Sequence, residues 1–175
     1  LKGLEGREGE ARATYFAAAR KLSAKRKNAG TALSEAVMAE LPALKLERAR
    51  FMIEIAVDEE AAGPSGIDLG AVHVQTKPGT RPGPIRKVAS GGELSRFLLA
   101  LKVALADRGS APTLVFDEID TGVGGAVADA IGRRLGRLSQ KVQVLTVTHA
   151  PQVAARAQSH LLIEKQAIEE GAFVR

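Results

Sequence analysis

Thr113-Leu114-Val115-Phe116-Asp117-Glu118 is a short apolar run that ends in two adjacent carboxylates, and together with the segments on its C-terminal side it decides the fold. Asp120-Thr121-Gly122-Val123-Gly124-Gly125 has the composition of a turn, Ala126 to Leu138 has helical periodicity, and Val142 to Val147 is again apolar and β-branched. Strand, helix, strand in that order predicts a right-handed parallel crossover, whose functional side chains sit beyond the carboxyl ends of the strands. Asp117, Glu118 and His149 fall at those ends. The expected fold class is α/β.

Upstream, Leu94, Phe97, Leu98, Leu101 and Leu105 recur at helical spacing and predict a helix over Gly92 to Asp107. The proline- and glycine-rich stretch Lys77 to Pro84 reads as a loop. Before it, Phe51, Ile53, Ile55 and Val57 alternate with Met52, Glu54 and Ala56 as in a strand, and a second strand is expected over Ala71 to Gln75. From Leu4 to about Leu46 the chain is rich in Ala, Lys, Arg and Glu, and has no proline before Pro42, so it reads as helix. Ala11, Ala18, Lys25 and Ala32 at one heptad position, with Tyr15, Leu22, Ala29 and Ala36 at the other, form a small apolar seam. That seam suits a coiled coil or a helix packed on its own domain, and Gly30 weakens it. The division expected is an arm over residues 1–46 and a lobe over 47–175. Leu161 to Glu164 and Ala172 to Val174 are expected to close the chain as a hairpin.

Four segments have residues suited to chemistry. Ser90-Gly91-Gly92-Glu93 opens a helix, and Ser with Glu three residues on is a capping box. Two glycines in a first turn cost about 1 kcal/mol each relative to Ala. They let an anion approach free N–H groups at the positive end of the helix dipole. Asp117 and Glu118 read either as a solvated strand end or as a pair with two roles: Asp holding Mg²⁺ through water, Glu activating a water that attacks phosphorus. His149 comes just after the second strand and, in a parallel sheet, lies at the same edge as that pair, within reach of a γ-phosphate. Asp120 lies in a turn open to two readings, loop geometry or contact with a second subunit. His73 and His160 read as structural.

Composition narrows the classes. No cysteine is present, so disulfides and thiolate metal sites are excluded. A formal charge of +5 permits a polyanionic partner, but five Phe, one Tyr and no Trp offer no row of stacking rings, so DNA contact would be to phosphates. Arg20-Lys21, Lys25-Arg26-Lys27 and Arg133-Arg134-Arg137 are candidate phosphate contacts or solvated helix faces. No apolar run is long enough to span a membrane, and no membrane partner is expected. The chain starts at Leu1 rather than Met and ends at Arg175 after a strand-like stretch, as expected of part of a larger protein.

In this order, Ser-Gly-Gly-Glu, an apolar strand ending Asp-Glu, an Asp-containing turn and a strand ending in His are similar to the signature motif, Walker B, D-loop and switch His of ABC ATPases. The wider wording resembles the SMC-like RecN family of bacterial DNA-repair ATPases: Ala89-Ser90-Gly91-Gly92-Glu93-Leu94-Ser95-Arg96, Asp117-Glu118-Ile119-Asp120-Thr121-Gly122-Val123-Gly124-Gly125, and Thr148-His149-Ala150-Pro151-Gln152-Val153-Ala154. The resemblance covers roughly Phe51 to Glu164. It implies the C-terminal lobe of an ABC-ATPase head, P-loop NTPase-like, with a parallel core sheet, flanking helices and the returning helix of a coiled coil. It implies ATP and Mg²⁺, with Glu118 as general base, His149 at the γ-phosphate, Asp117 on the metal through water, and Asp120 in the D-loop. Ser90, Gly91, Gly92 and Glu93 would serve nucleotide held by a second head of a homodimer. The implied partners are DNA and an N-terminal Walker A lobe of the same protein, in a cytoplasmic, nucleoid-associated setting, with a function in double-strand break repair. The chain departs from the pattern in one respect: it contains no Gly-x-x-x-x-Gly-Lys-[Ser/Thr] and not one Gly-Lys pair, so alone it is expected to be inactive. The alternatives are another SMC or ABC-type head, or a non-catalytic dimerisation or DNA-bridging module.

Overall fold

The computed structural model describes residues 2–89, 91–106, 111–117, 119–168 and 171–174. Its first element, α1 (Lys2–Glu40), is a helix of 39 residues. It stops where Pro42 enters a 3₁₀ turn, and Lys45, in the left-handed region at φ 58°, turns the chain back. β1 (Arg50–Val57) pairs antiparallel with β2 (Asp68–Gln75), which pairs antiparallel with the two-residue β3 (Gly83–Pro84) at the end of the proline-rich loop.

The seam read from the sequence is not the face that α1 packs on its own lobe, which lies one residue later. Ala19, Ser23, Gly30, Val37 and Leu41 are buried, whereas Ala11, Ala18, Lys25, Ala32, Leu22, Ala29 and Ala36 are exposed. Gly30, which weakened the helix reading, has a packing reason: a Cβ there would stand 3.2 Å from Ile53 Cγ2, so glycine lets α1 lie directly on β1. α1 also caps the outer edge of that strand. The Ile53 N–H donates to Ser34 Oγ at 3.0 Å, and the Phe51 N–H donates to Met38 Sδ at 3.2 Å. Farther along, Tyr15 Oη donates to the Gly63 carbonyl at 2.8 Å, and Arg20 and Arg26 pair with Glu59 and Asp68 at 3.0 and 2.9 Å. The strand pair thus braces the helix back to Tyr15.

α2 (Ile85–Val88) leads to α3 (Gly91–Ala104), and then β4 (Thr113–Phe116), α4 (Gly125–Ser139) and β5 (Gln143–Thr146) form the expected unit. β4 and β5 are parallel, with Thr113 opposite Gln143 and Phe116 opposite Thr146. α4 buries Ala128, Ile131, Leu135 and Leu138, one stripe at helical spacing. α5 (Pro151–Ala154) packs on it where Gly132 leaves room: a Cβ there would come within 3.1 Å of the Gln152 carbonyl and 3.3 Å of Val153 Cα. Val37 of α1, Leu41 just after it, Phe51 of β1, Phe97 of α3, Phe116 of β4 and Ile131 of α4 belong to one core. The foot of α1 is therefore a wall of the lobe.

The closing hairpin forms with its second strand where it is expected and its first strand later in the chain. Its strands are β6 (Lys165–Ile168) and β7 (Gly171–Val174), while Leu161 to Ile163 lie outside any strand with their side chains exposed. Among the described residues the parallel sheet consists of β4 and β5, and the other strand pairs are antiparallel.

Candidate functional site

The site forms where three chain segments meet at the carboxyl end of β4 and β5. Because Phe116 stands opposite Thr146, Asp117 leaves β4 beside Val147, whose N–H donates to the Phe116 carbonyl at 3.0 Å. His149 comes two residues later. The switch from apolar strand to polar loop therefore delivers both side chains to one edge, as the sequence implied. Asp117 is exposed, and His149 is 78% exposed.

Asp120 is placed differently. Its turn folds back under the His149 segment, and the side chain is only 1% exposed. Asp120 Oδ2 accepts from Thr148 Oγ1 at 2.5 Å, from the His149 N–H at 3.2 Å and from the Ala150 N–H at 3.0 Å. The His149 imidazole is farther off, with Nδ1 3.8 Å from the same oxygen. Burial alone would raise the Asp120 pKa, but the Thr148 hydroxyl and backbone N–H donors favour the charged form, and the net direction is down. A carboxylate held below its unfolded value of about 3.9 adds stability above that pH and loses it as pH falls through the lower folded value. The Asp120 side chain therefore makes its contacts within the chain.

Gly91, Gly92 and Glu93 form the first turn of α3, as expected, and this turn leans on the same loop. A Cβ on Gly92 would lie 3.4 Å from the Thr121 carbonyl oxygen and 3.3 Å from Arg96 Nη1. Ser95 Oγ donates to the Asp117 carbonyl at 3.1 Å, and Arg96 Nη1 donates to the Thr121 carbonyl at 3.3 Å. Arg96 is 7% exposed, and its Nε meets no acceptor among the described residues. Burial pulls this guanidinium below its ordinary value, and nearby Glu93 opposes that shift. Ser90 and Glu118 lie outside the described residues.

Sequence reasoning gave no separate role to Ser95, Arg96, Thr121 or Thr148. One local signal was available for Arg96: Gly92 and Ala100, four residues to either side, are small enough to let a long side chain lie along the helix. Thr148 offered no such sign, since its partner is 28 residues away.

Arg133, Arg134 and Arg137, possible phosphate contacts by sequence, are engaged within the fold. Arg134 pairs with Glu40 at 2.6 Å, Arg137 with the same carboxylate at 3.2 Å, and Arg133 with Asp129 at 2.9 Å. These pairs fasten α4 to the foot of α1 and to its own preceding turn. No helix among the described residues is long and apolar enough to cross a membrane.

Comparison with known proteins places the arrangement. Over 167 residues the chain is 46% identical to the DNA repair protein RecN of Rickettsia bellii, and over 170 residues it is 41% identical to that of Xylella fastidiosa. Those alignments take in 95% and 97% of this chain. Over nearly its whole length the chain matches the C-terminal part of these RecN proteins. It spans about 30% of the length of these two RecN relatives. No family model matches the chain. Among solved structures, the Smc head domain with an extended coiled coil bound to the C-terminal domain of ScpA, from Pyrococcus furiosus, superposes with a TM-score of 0.65 at 18% identity, over 99% of this chain and 42% of that one. The Smc head domain with a coiled coil and joint from Pyrococcus yayanosii gives 0.57 at 19% identity, over 83% and 26%. The RecN match thus has the fold of an SMC head lobe.

Proposed function

We propose that this chain is the C-terminal half of an SMC-like ATPase head acting in DNA double-strand break repair and recombination, through ATP-driven head dimerisation and hydrolysis. The observation that carries this reading is a bare sheet face beside the candidate site. Val115 is 68% exposed and Val147 60%, and Leu145, which stands opposite Val115, is exposed as well. Parallel strands are ordinarily covered on both faces. An N-terminal lobe bearing the phosphate loop is the cover proposed, and each Val or Leu it hides contributes about 1.5–3 kcal/mol.

In this reading Glu118 takes the proton of the attacking water, His149 donates to a γ-phosphate oxygen, and Gly91 and Gly92 of one head present N–H groups to nucleotide held by its homodimer partner, with Ser90 and Glu93 beside them. The donor set suits Mg²⁺. Asp117 is a hard oxygen donor exposed at a strand end, the kind of single carboxylate that Mg²⁺ takes together with water and phosphate oxygens. Bound there, Mg²⁺ would neutralise charge on the phosphates; Asp117 would hold it through water. The exposed seam of α1 is the surface proposed for the other helix of the coiled coil.

The chain alone is expected to show no ATP turnover above background, because its sequence contains no Gly-x-x-x-x-Gly-Lys-[Ser/Thr] loop to hold nucleotide. Adding the N-terminal lobe should restore turnover, and a fragment active by itself with activity lost in Glu118→Gln would overturn the division of the site. For DNA, the ion pairs of Arg20, Arg26, Arg133, Arg134 and Arg137 leave Lys21 and Lys27 as the better candidates, both exposed, off the seam and in no ion pair among the described residues. Lys21→Glu with Lys27→Glu is expected to lower the magnitude of the log–log salt slope of binding by about 1–2, since each phosphate contact contributes roughly 0.9. An unchanged slope would remove this face from the DNA surface.

A further inference from the structure

We propose that Asp120 and Thr148 are a positioning pair that fixes the height of His149 over the candidate site; this rests on the reading of His149 as the γ-phosphate contact. Asp120 Oδ2 collects the Thr148 hydroxyl, the His149 N–H and the Ala150 N–H, and Thr148 Oγ1 accepts in turn from the Ala150 N–H at 3.1 Å. Neither ring nitrogen of His149 is needed for this arrangement. The main chain is held, and the imidazole is left 78% exposed, with Nδ1 3.8 Å from the same Asp120 oxygen.

The simpler account is that Asp120 caps the four-residue helix α5, whose N-cap is Ala150. A cap explains the Ala150 contact. It does not explain why a carboxylate that is 1% exposed also takes a side-chain hydroxyl and the N–H of His149 itself. Burying a charge costs several kcal/mol unless its hydrogen bonds are satisfied, and a neutral Ser or Asn would cap so short a helix at lower cost. What the charge adds is stiffness between segments 28 to 30 residues apart in the chain. The other side of the same turn is held by Arg96 and packed against Gly92, through Thr121. Asp120 therefore sets His149 relative to the first turn of α3 as well as to β4.

A displacement of about 1 Å at a reacting group costs about 10²-fold when geometry carries the rate. The loss expected for Asp120→Asn or Thr148→Val is smaller, about tenfold in kcat of the full-length protein with KM for ATP within about twofold, because each leaves part of the network in place. Thr148→Ser keeps the hydroxyl and should restore kcat. The independent readout is hydrogen exchange of the His149 and Ala150 amides, measured on the 175-residue chain. Both variants should speed it by about tenfold or more, leaving the amides of α1 and β1 at their original rates. Exchange that does not change overturns the positioning role, whatever the kinetics. If exchange changes and His149→Ala lowers kcat, yet Asp120→Asn and Thr148→Val do not, the pair holds the loop without serving the reaction, and the proposal fails alone. Full turnover by His149→Ala would instead bring down the reading of His149 and this proposal with it.

Discussion

Glu118→Gln in the full-length protein is expected to slow ATP turnover by about 10²- to 10⁴-fold, the contribution of a positioned general base. Binding of ATP and Mg²⁺ should survive, since the amide is nearly isosteric and Asp117 remains. On the proposed two-head reading, nucleotide that is bound but not cleaved would keep the heads engaged, so the variant should accumulate as a dimer when ATP and Mg²⁺ are added. Ser90→Arg is expected to lose hydrolysis to a similar degree by a different route. It sets a long cationic side chain at the start of α3, where the partner's γ-phosphate must approach Gly91 and Gly92. Each head should still bind ATP while the pair fails to form. Size in solution, compared at equal nucleotide occupancy, separates the two. If Ser90→Arg dimerises as well as Glu118→Gln does, the first turn of α3 does not act across an interface, and Ser90-Gly91-Gly92-Glu93 is the capping box that its local sequence already allowed.

Asp117 and His149 were legible because their signal is local. An apolar β-branched run has to end somewhere, and the first charged or polar residue after it marks the strand end, so β4, α4 and β5 could be read within a residue or so at each bound. The buried roles of Asp120 and Arg96 were not legible. Asp120 looks like any turn aspartate until Thr148 and Ala150 arrive from 28 and 30 residues away, and Arg96 meets Thr121 from 25 residues away. The offset of the α1 seam has a related cause: alanines stand on both sides of the true stripe, and small side chains do not mark which side is buried until β1 is present. Leu161 to Ile163 misled in the opposite sense. Three consecutive apolar residues read as a strand, but hydrophobicity marks a segment that needs cover and does not say that the cover is in the same chain segment.

Phe97→Ala is expected to destabilise the lobe by about 3–5 kcal/mol, the range for truncating a buried phenylalanine. A domain of this kind has roughly 5–15 kcal/mol in all, so the variant loses a large share of its stability. Phe97 is 0% exposed, and its ring centroid lies 6.5 Å from that of Phe51, tilted by 32°. That contact joins α3 to β1, and through β1 to the foot of α1. The cavity would therefore open at the junction of helix, sheet and arm, where Val37 and Leu41 line the same core and have little freedom to collapse inward because α1 is anchored by Arg134 on Glu40. With a urea m-value of about 1–3 kcal/mol/M, the midpoint should fall by roughly 2 M at unchanged m. Leu4→Ala is the control: that side chain is 61% exposed near the start of α1, and its loss should move stability by no more than about 0.5 kcal/mol. Equal midpoints for the two variants would mean that α3 is not carried on the β1 core. In that case the first turn of α3 would be positioned by its loop contacts alone, Ser95 on Asp117 and Arg96 on Thr121, and those two bonds would have to hold the glycine pair in place without the hydrophobic support assigned to Phe97.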